Sequence, residues 1–179
     1  MNFVTISDFD KIPYNLPPKD VQNTDFESWM DIEEEKVLRC LLGHLFYDEL
    51  IANALYLPEE KWSRLVDGAY YVYSGIDYKW IGLNKMLKPY LYVMRTKQTL
   101  DHHTSTGIEL AQVETALKIS FRQRAADAWN VFVNAYGIEK NQRESLYGFI
   151  QANLTDYTNF KYPLCGAPCY PKQMNSYGL

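Results

Sequence analysis

Apolar residues recur every three or four positions along most of the chain, which is the spacing of amphipathic helices. Between residues 26 and 55 the repeat includes Trp29, Val37 and Leu41, and acids crowd the first turns, where the helix dipole favours negative charge. The same spacing predicts further helices after Pro58, over Trp80–Gln98, over Glu109–Tyr136 and over residues 141–153. We therefore expect an all-α fold, a helical bundle of about five helices.

Local signals modify this pattern at a few positions. Residues 69–79 are tyrosine-rich and β-prone, so both a short hairpin and an extended loop stay open there. Pro89 lies inside one predicted helix and should kink or break it. Gly68 and Gly137 each follow a predicted helix, and glycine commonly ends helices.

The helical pattern is missing at both ends of the chain. Pro13, Pro17 and Pro18 rule out a regular helix near the start, and the end is rich in Tyr, Pro and Gly. We expect an extended N-terminal arm at 1–24, a helical domain at 25–155 and an extended C-terminal arm at 156–179. Arms that cannot bury themselves on their own domain usually need a partner to become ordered.

The composition is that of one folded domain with an excess of tyrosine. Of the 179 residues, 47% are hydrophobic and 22% are charged, which is ordinary for a globular protein. We see no signal-peptide pattern and no membrane span, so we expect synthesis in the cytoplasm and no membrane partner. The chain has 15 tyrosines, and tyrosine suits surfaces that are wet in one state and buried in another.

Charge is distributed unevenly along the chain. The net charge is −4, which argues against a general nucleic-acid binder. Residues 1–60 hold 13 acids and 4 bases, whereas residues 61–100 hold 2 acids and 7 bases. Opposite charges on neighbouring segments can pair inside one subunit or steer one copy against the next, head to tail.

A few residue pairs have the types needed for chemistry. His44 and Asp48 stand four apart and could form an acid–base pair, but no nucleophile or glycine loop accompanies them. His102 and His103 with Cys165 and Cys169 could form a zinc site, although the usual close cysteine pair is missing. We interpret Cys40 as a small buried apolar residue. We therefore expect no enzyme activity, no cofactor and no metal.

Aromatic and basic residues are the stronger candidates for function. The stretch Lys61–Met94 combines aromatic residues with glycines, a composition typical of contact surfaces. The tail contains further aromatic side chains, which either anchor on a partner or pack on the helices of the same chain. The candidate interface residues are Trp62, Tyr71, Trp80, Tyr157, Phe160, Tyr162, Tyr170 and Tyr177. The candidates for non-specific DNA contact are Lys85, Lys88, Arg95 and Lys97, whose other interpretation is a solvated helix face.

Five short sequences occur in a characteristic order: LLGHLFYDEL, KWSRLVDGAYYVYSG, KWIGLNKMLKPYLYVM, TSTG and LYGFIQAN. Their most specific positions are Trp62, Leu65, Gly68, Tyr71, Gly75, Trp80, Gly82, Leu83, Thr106 and Gly107. This order, over roughly residues 30–155, resembles the head–tail connector, or neck adaptor, proteins of tailed bacteriophages, in particular those of Bacteroides-like hosts. Both arms lie outside the resemblance.

The resemblance implies a mostly helical structural subunit that is not an enzyme and needs no cofactor. Such proteins form a ring, commonly of about twelve copies, around the DNA channel in the neck of the virion. One side of the ring binds the portal protein, and the other binds the next neck or tail protein. Helical connector rings often dock an extended terminus into the portal, and residues 156–179 would take that role.

Two other functions stay open from the sequence alone. One is a cytoplasmic helical enzyme or ligand-binding domain with a site near His44 and Asp48. The other is a nucleic-acid accessory protein that uses the basic segment.

Overall fold

The computed structural model of the protein describes residues 3–10, 13–16, 25–56, 59–104, 113–137 and 143–160. The regular elements, in chain order, are a short 3-10 helix Ile6–Phe9, α1 Phe26–Leu42, α2 His44–Tyr56, α3 Glu60–Asp67, β1 Ala69–Tyr73, β2 Ile76–Trp80, α4 Leu83–Thr104, α5 Val113–Tyr136 and α6 Leu146–Ala152.

The described part of the chain is mostly helical, with six α-helices and one two-stranded antiparallel sheet. The prediction of a largely helical fold is confirmed. The prediction of a purely α fold is wrong, because the tyrosine-rich stretch after α3 forms a β-hairpin. Aromatic and β-branched side chains favour strands when one face of the strand pair can pack on a core.

The helix boundaries differ from the predicted ones at two informative places. The first predicted helix is two helices, since Gly43 at φ 80° ends α1 and donates its N–H to the carbonyl of Arg39 at 3.0 Å. By contrast, α4 continues through Pro89 and ends beyond the predicted end at Gln98. Pro89 is itself buried, so tertiary packing holds the helix in spite of the lost hydrogen bond.

The core is built around α4, which contacts α1, α3, α5 and the 3-10 helix. Aromatic rings fill much of it. Its fully buried aromatic side chains include Phe9, Phe26, Phe46, Trp62, Trp80, Tyr92, Phe132, Tyr136 and Phe149. Much of the aromatic excess of the sequence is therefore used inside the protomer. Among the helices of the described ranges, none has the length and apolar character that crossing a membrane would take.

Residues 3–10 and 13–16, here called the N-terminal strap, lie on the helical body instead of forming the expected extended arm. Val4 and Phe9 are fully buried, and the Phe9 ring meets Phe26 of α1 edge to face, with centroids 5.8 Å apart. Prolines exclude a regular helix but not the burial of the side chains between them. The strap therefore gains hydrophobic contact with little regular structure of its own.

The described beginning of the predicted C-terminal arm also folds back. Tyr157 and Phe160 are buried against Phe46 of α2, with ring centroids 6.0 and 5.5 Å apart. The Tyr157 hydroxyl donates to the carbonyl of Lys61 at 2.5 Å, which satisfies its polar end. The rest of that arm, residues 161–179, lies outside the described residues.

Cys40 is half-buried and disulfide-bonded, so its interpretation as a small buried apolar residue is wrong. The chain has two other cysteines, Cys165 and Cys169, and both lie outside the described residues. Cysteine spacing in a single sequence does not reveal pairing over such a separation.

Candidate assembly interface

The hairpin between α3 and α4 presents apolar side chains to solvent on a well-defined frame. Its strands pair antiparallel, with Ala69 opposite Trp80 at the base. Ser74 and Gly75 form the two-residue turn with φ values of 52° and 79°. Two successive positive φ values are what a tight type I′ hairpin turn requires. The turn fixes the register, and the register assigns each side chain to one of two faces.

Two glycines fasten the base of the hairpin to the neighbouring helices. A Cβ at Gly68 would lie 2.6 Å from the backbone oxygen of Trp80, and one at Gly82 would lie 2.6 Å from the backbone oxygen of Val66. Both glycines also have positive φ values, 97° and 98°. Only glycine permits this close approach of two backbones in that conformation, so the chain is fixed where the hairpin begins and ends.

The inner face of the hairpin packs on α6. Trp80 is fully buried, stacks on Phe149 with ring centroids 6.2 Å apart, and donates its indole N–H to the carbonyl of Leu65 at 2.8 Å. Tyr71 meets Phe149 edge to face and donates its hydroxyl to the carbonyl of Arg143. Burial raises the pKa of Tyr71 to about 12, so its hydroxyl remains a donor near neutral pH.

The outer face and the tip of the hairpin lie in solvent. Tyr70 is 73% exposed, Val72 is 62% exposed, and Ile76 at the tip is 57% exposed. Across the strands Tyr70 pairs with Lys79, whose ammonium nitrogen lies 5.3 Å from the centre of the ring, and Val72 pairs with Asp77. Large apolar side chains grouped on a fixed surface are typical of a contact site. Ile76 lies at the tip opposite Tyr73, on the other face of the strand pair from Tyr70 and Val72. We call the two outer-face side chains, Tyr70 and Val72, the hairpin patch.

An open cavity of about 570 Å³ lies beside the hairpin, within the usual size range of binding pockets. One cation and one acid lie among its otherwise uncharged walls. The residues that line it are Tyr78, Ile81, Val131, Asn134, Ala135, Arg143 and Glu144. The Arg143 guanidinium lies 4.1 Å from the centre of the Tyr73 ring. Arg143 therefore both lines the cavity and contacts the hairpin.

The structure corrects the prediction of interface aromatics. Five of the predicted side chains are at most 8% exposed, because they pack against Phe46 or Phe149 in the core of the chain: Trp62, Tyr71, Trp80, Tyr157 and Phe160. The other three lie outside the described residues: Tyr162, Tyr170 and Tyr177.

The basic residues predicted to contact DNA do not form one surface. Lys88 makes an ion pair with Asp8 of the strap at 2.5 Å, and the Arg95 guanidinium lies 5.3 and 5.5 Å from the centres of two aromatic rings of α1. Lys85 and Lys97 are exposed, but their spacing places them about 120° apart around the helix. The four positions thus differ in what they contact and in the direction they face.

The Arg39 side chain bridges His44 and Asp48. The guanidinium lies 3.0 Å from the Asp48 carboxylate, 3.3 Å from Nδ1 of His44 and 2.7 Å from the Glu35 carboxylate. It also lies 4.5 Å from the centre of the Tyr47 ring, and its hydrogen bond with Glu35 raises the pKa of Arg39. Both members of the predicted acid–base pair therefore belong to a surface ion-pair cluster.

Within the described residues, no group of three or more His, Cys, Asp or Glu side chains is placed to hold a metal ion. The backbone of His102 and His103 belongs to the end of α4 and not to the predicted polar loop, and their side chains are not described. Cys165 and Cys169 lie outside the described residues.

Sequence reasoning missed the hairpin patch, although a signal was present. With a two-residue turn at Ser74–Gly75, alternation assigns Tyr71 and Trp80 to one face and Tyr70 and Val72 to the other. Selecting residues by aromatic character alone favoured the inner face.

Comparison with protein-family models, with curated proteins and with solved structures found no match to this chain. Its function is therefore inferred from its own residues and surfaces.

Proposed function

We propose that the protein is a structural subunit that assembles with copies of itself and with neighbouring proteins through the hairpin patch. We further propose, on the sequence resemblance, that this assembly is the neck ring of a tailed phage, which joins the portal to the next neck or tail protein around the DNA channel. The observation that carries the first proposal is the exposure of Tyr70 and Val72 on a hairpin whose other face is anchored in the core.

Burial of the hairpin patch would contribute usefully to association. Fully burying a valine side chain is worth about 1.5–3 kcal/mol, and Val72 keeps more than half of its surface in water here. Tyrosine is enriched among the residues that dominate interfaces, because a rigid ring loses little entropy on contact. The anchored inner face means that little ordering of the hairpin is needed on binding.

A complementary surface lies on the first two helices of the same chain. Ile32 of α1 is 64% exposed and Leu45 of α2 is 73% exposed, and the carboxylates of Glu35 and Asp48 lie on these helices. The hairpin patch has Lys79 beside it. We propose that this surface receives the hairpin patch of the next copy in a head-to-tail contact, with Lys79 of one copy near the Glu35 and Asp48 carboxylates of the other.

Head-to-tail contacts generate closed rings when the rotation between copies closes. The same surface pair can therefore be used once per subunit around a ring. Because oppositely charged groups flank the contact, its association rate should fall as salt is raised.

The first test removes the hairpin patch without disturbing the core. The double variant Tyr70→Ser, Val72→Ser should keep its free energy of unfolding within about 1 kcal/mol of the parent, since both side chains are exposed. It should lose self-association, measured by mass photometry. Leu154→Ser is the matched control, because it removes an exposed apolar side chain at the end of α6. Equal assembly of both variants would overturn the proposed contact.

The second test concerns the neck assignment alone. Cryo-EM of the assembled particle should place the chain in a ring below the portal. A particle that lacks the chain, while the purified chain still assembles through the hairpin patch, would reject the neck and retain the contact.

A further inference from the structure

Glu34 holds a carboxyl group inside the apolar interior, and the N-terminal strap supplies its hydrogen-bond donors. The residue is 1% exposed and lies on the buried side of α1 with Val37 and Leu38. Its two oxygens accept the backbone N–H groups of Phe3 at 2.8 Å and Val4 at 3.1 Å. Within the described residues, no Lys or Arg side chain forms an ion pair with Glu34.

The strap is a short segment that packs on the body through buried apolar side chains and a few polar contacts. Its own backbone is closed by the bond from the N–H of Leu16 to the carbonyl of Phe9 at 3.0 Å. Its apolar contacts are the buried side chains of Val4, Phe9 and Leu16 and the Tyr14 ring, which lies 5.8 Å from that of Tyr92. Its polar contacts are the ion pair of Asp8 with Lys88 and the two bonds to Glu34. Because the strap is short and lies at one end of the chain, its opening can be local, with the helices still folded.

A buried carboxylate is costly, because two neutral donors replace only part of its hydration. Burial raises the pKa of Glu34 to about 7, the bonds from Phe3 and Val4 oppose this, and the negative charge of Asp31 adds to it. The positive amino terminus of the chain lowers the pKa of Glu34. Release of the strap would let water reach the carboxylate and relieve the burial.

Other titratable groups near Glu34 come from each element packed around it. On α1 they are Asp31 and Glu33, on α2 Tyr47, in the strap Asp8, and on α4 Lys88 and Tyr90. Burial raises the pKa of Tyr47 and of Tyr90. For Asp8, burial is outweighed by the bonds to Lys88 and Thr5, which lower its pKa. The two tyrosines and Asp8 therefore keep their charge state between pH 6 and 8.

We propose that the N-terminal strap is a detachable latch, and that its docking is coupled to the uptake of one proton by Glu34. Docking is strongest while Glu34 is neutral, and it weakens when the carboxylate becomes charged and must be hydrated. This latch goes beyond the proposed assembly function and does not depend on it.

The sign of the pH dependence follows from the two states of the strap. With the strap docked the pKa of Glu34 is about 7, and with the strap released it returns toward the usual 4.5. The contribution of Glu34 to the free energy of docking is therefore fully present below pH 4.5, and it is lost as the pH rises through 7. Between pH 6 and pH 8 the docking equilibrium constant should fall about tenfold.

Hydrogen exchange measures this equilibrium directly. The protection factors of strap amides, such as that of Leu16, are corrected for the pH dependence of chemical exchange and compared at pH 6 and pH 8. We expect about a tenfold fall for the strap amides of the parent protein between pH 6 and pH 8. In Glu34→Gln the strap protection should be equal at both pH values. The matched control Glu27→Gln, an exposed position on the same helix, should keep the tenfold fall.

Two results would overturn the latch. One is equal strap protection at pH 6 and pH 8 in the parent protein. The other is a tenfold fall that persists in Glu34→Gln, which would assign the titration to another group such as the amino terminus. If Glu34→Gln does not fold, Asp8→Asn takes its place. This variant should lower strap protection equally at pH 6 and pH 8, so that the tenfold ratio between the two pH values remains. Loss of that ratio would reject the latch.

Discussion

The N-terminal strap and the hairpin are both short aromatic segments outside the long helices, yet they differ in how far their side chains are exposed to solvent. In the strap, Val4 and Phe9 are fully buried, whereas in the hairpin, Tyr70 and Val72 are mostly exposed. Their composition does not explain the difference. The strap covers apolar surface of the helical body, and the outer face of the hairpin has no such surface opposite it within the described chain. Aromatic content thus signals contact, and only the assignment of faces tells whether the contact is internal.

The largest expected effect contrasts the two faces of the hairpin. Trp80→Ala removes a fully buried indole and its hydrogen bond to Leu65, so it should lower the free energy of unfolding by about 3–5 kcal/mol. Tyr70→Ala on the outer face should change it by less than about 0.5 kcal/mol. Urea denaturation of the two variants measures both values, and similar losses would contradict the division into inner and outer faces.

The next effect concerns the buried carboxyl under the strap. Because folding raises the pKa of Glu34 from 4.5 to about 7, its contribution to stability is present at low pH and disappears as pH rises through 7. The free energy of unfolding should therefore fall by about 2–3 kcal/mol between pH 5 and pH 8 relative to Glu34→Gln. Parallel urea titrations give this difference, and a difference that grows with pH would contradict the sign.

A smaller difference in stability is expected between glycine substitutions at the base of the hairpin and at its tip. Gly68→Ala should destabilise by about 2 kcal/mol or more, because φ is positive and the new Cβ would lie 2.6 Å from a backbone oxygen. Gly75→Asn should cost less than about 1 kcal/mol, since no atom lies within 4 Å of that Cβ position and Asn tolerates positive φ. Thermal unfolding of the pair tests this ranking, and equal costs would mean that the base is not tightly fastened.

The smallest effect is at the start of α6, the helix on which the inner face packs. The Ser145 side chain accepts the N–H of Gly148 at 3.1 Å and so caps this helix. Ser145→Ala should destabilise by about 1 kcal/mol, the usual value for a lost N-terminal cap. Urea denaturation measures this loss, and an unchanged free energy of unfolding would argue against a capping role.

Local signals allowed much of the helical architecture to be predicted. Gly68 and Gly137 end helices as expected, because a positive φ is a local property of glycine. The break at Gly43 was missed, since the apolar repeat continues across it and only the packing of α1 on α2 shows the change of direction.

Features that depend on tertiary contact were less accessible to sequence reasoning. Phe9 of the strap and Glu34 beneath it are both buried, and Cys40 is disulfide-bonded. None of these features can be predicted without knowing which segments of the chain meet in the fold. The hairpin patch was predictable in principle from alternation and the turn, and was missed because aromatic residues were chosen without regard to face.

The most direct test of the proposed contact is hydroxyl-radical footprinting of Tyr70 in the isolated protein and in the assembled particle. We expect Tyr70 to be modified readily in the isolated protein and several-fold less in the assembly, with Leu154 as the internal reference. A Tyr70 ring that is modified equally in both states would show that the hairpin patch stays uncovered, and would contradict its role as the assembly interface.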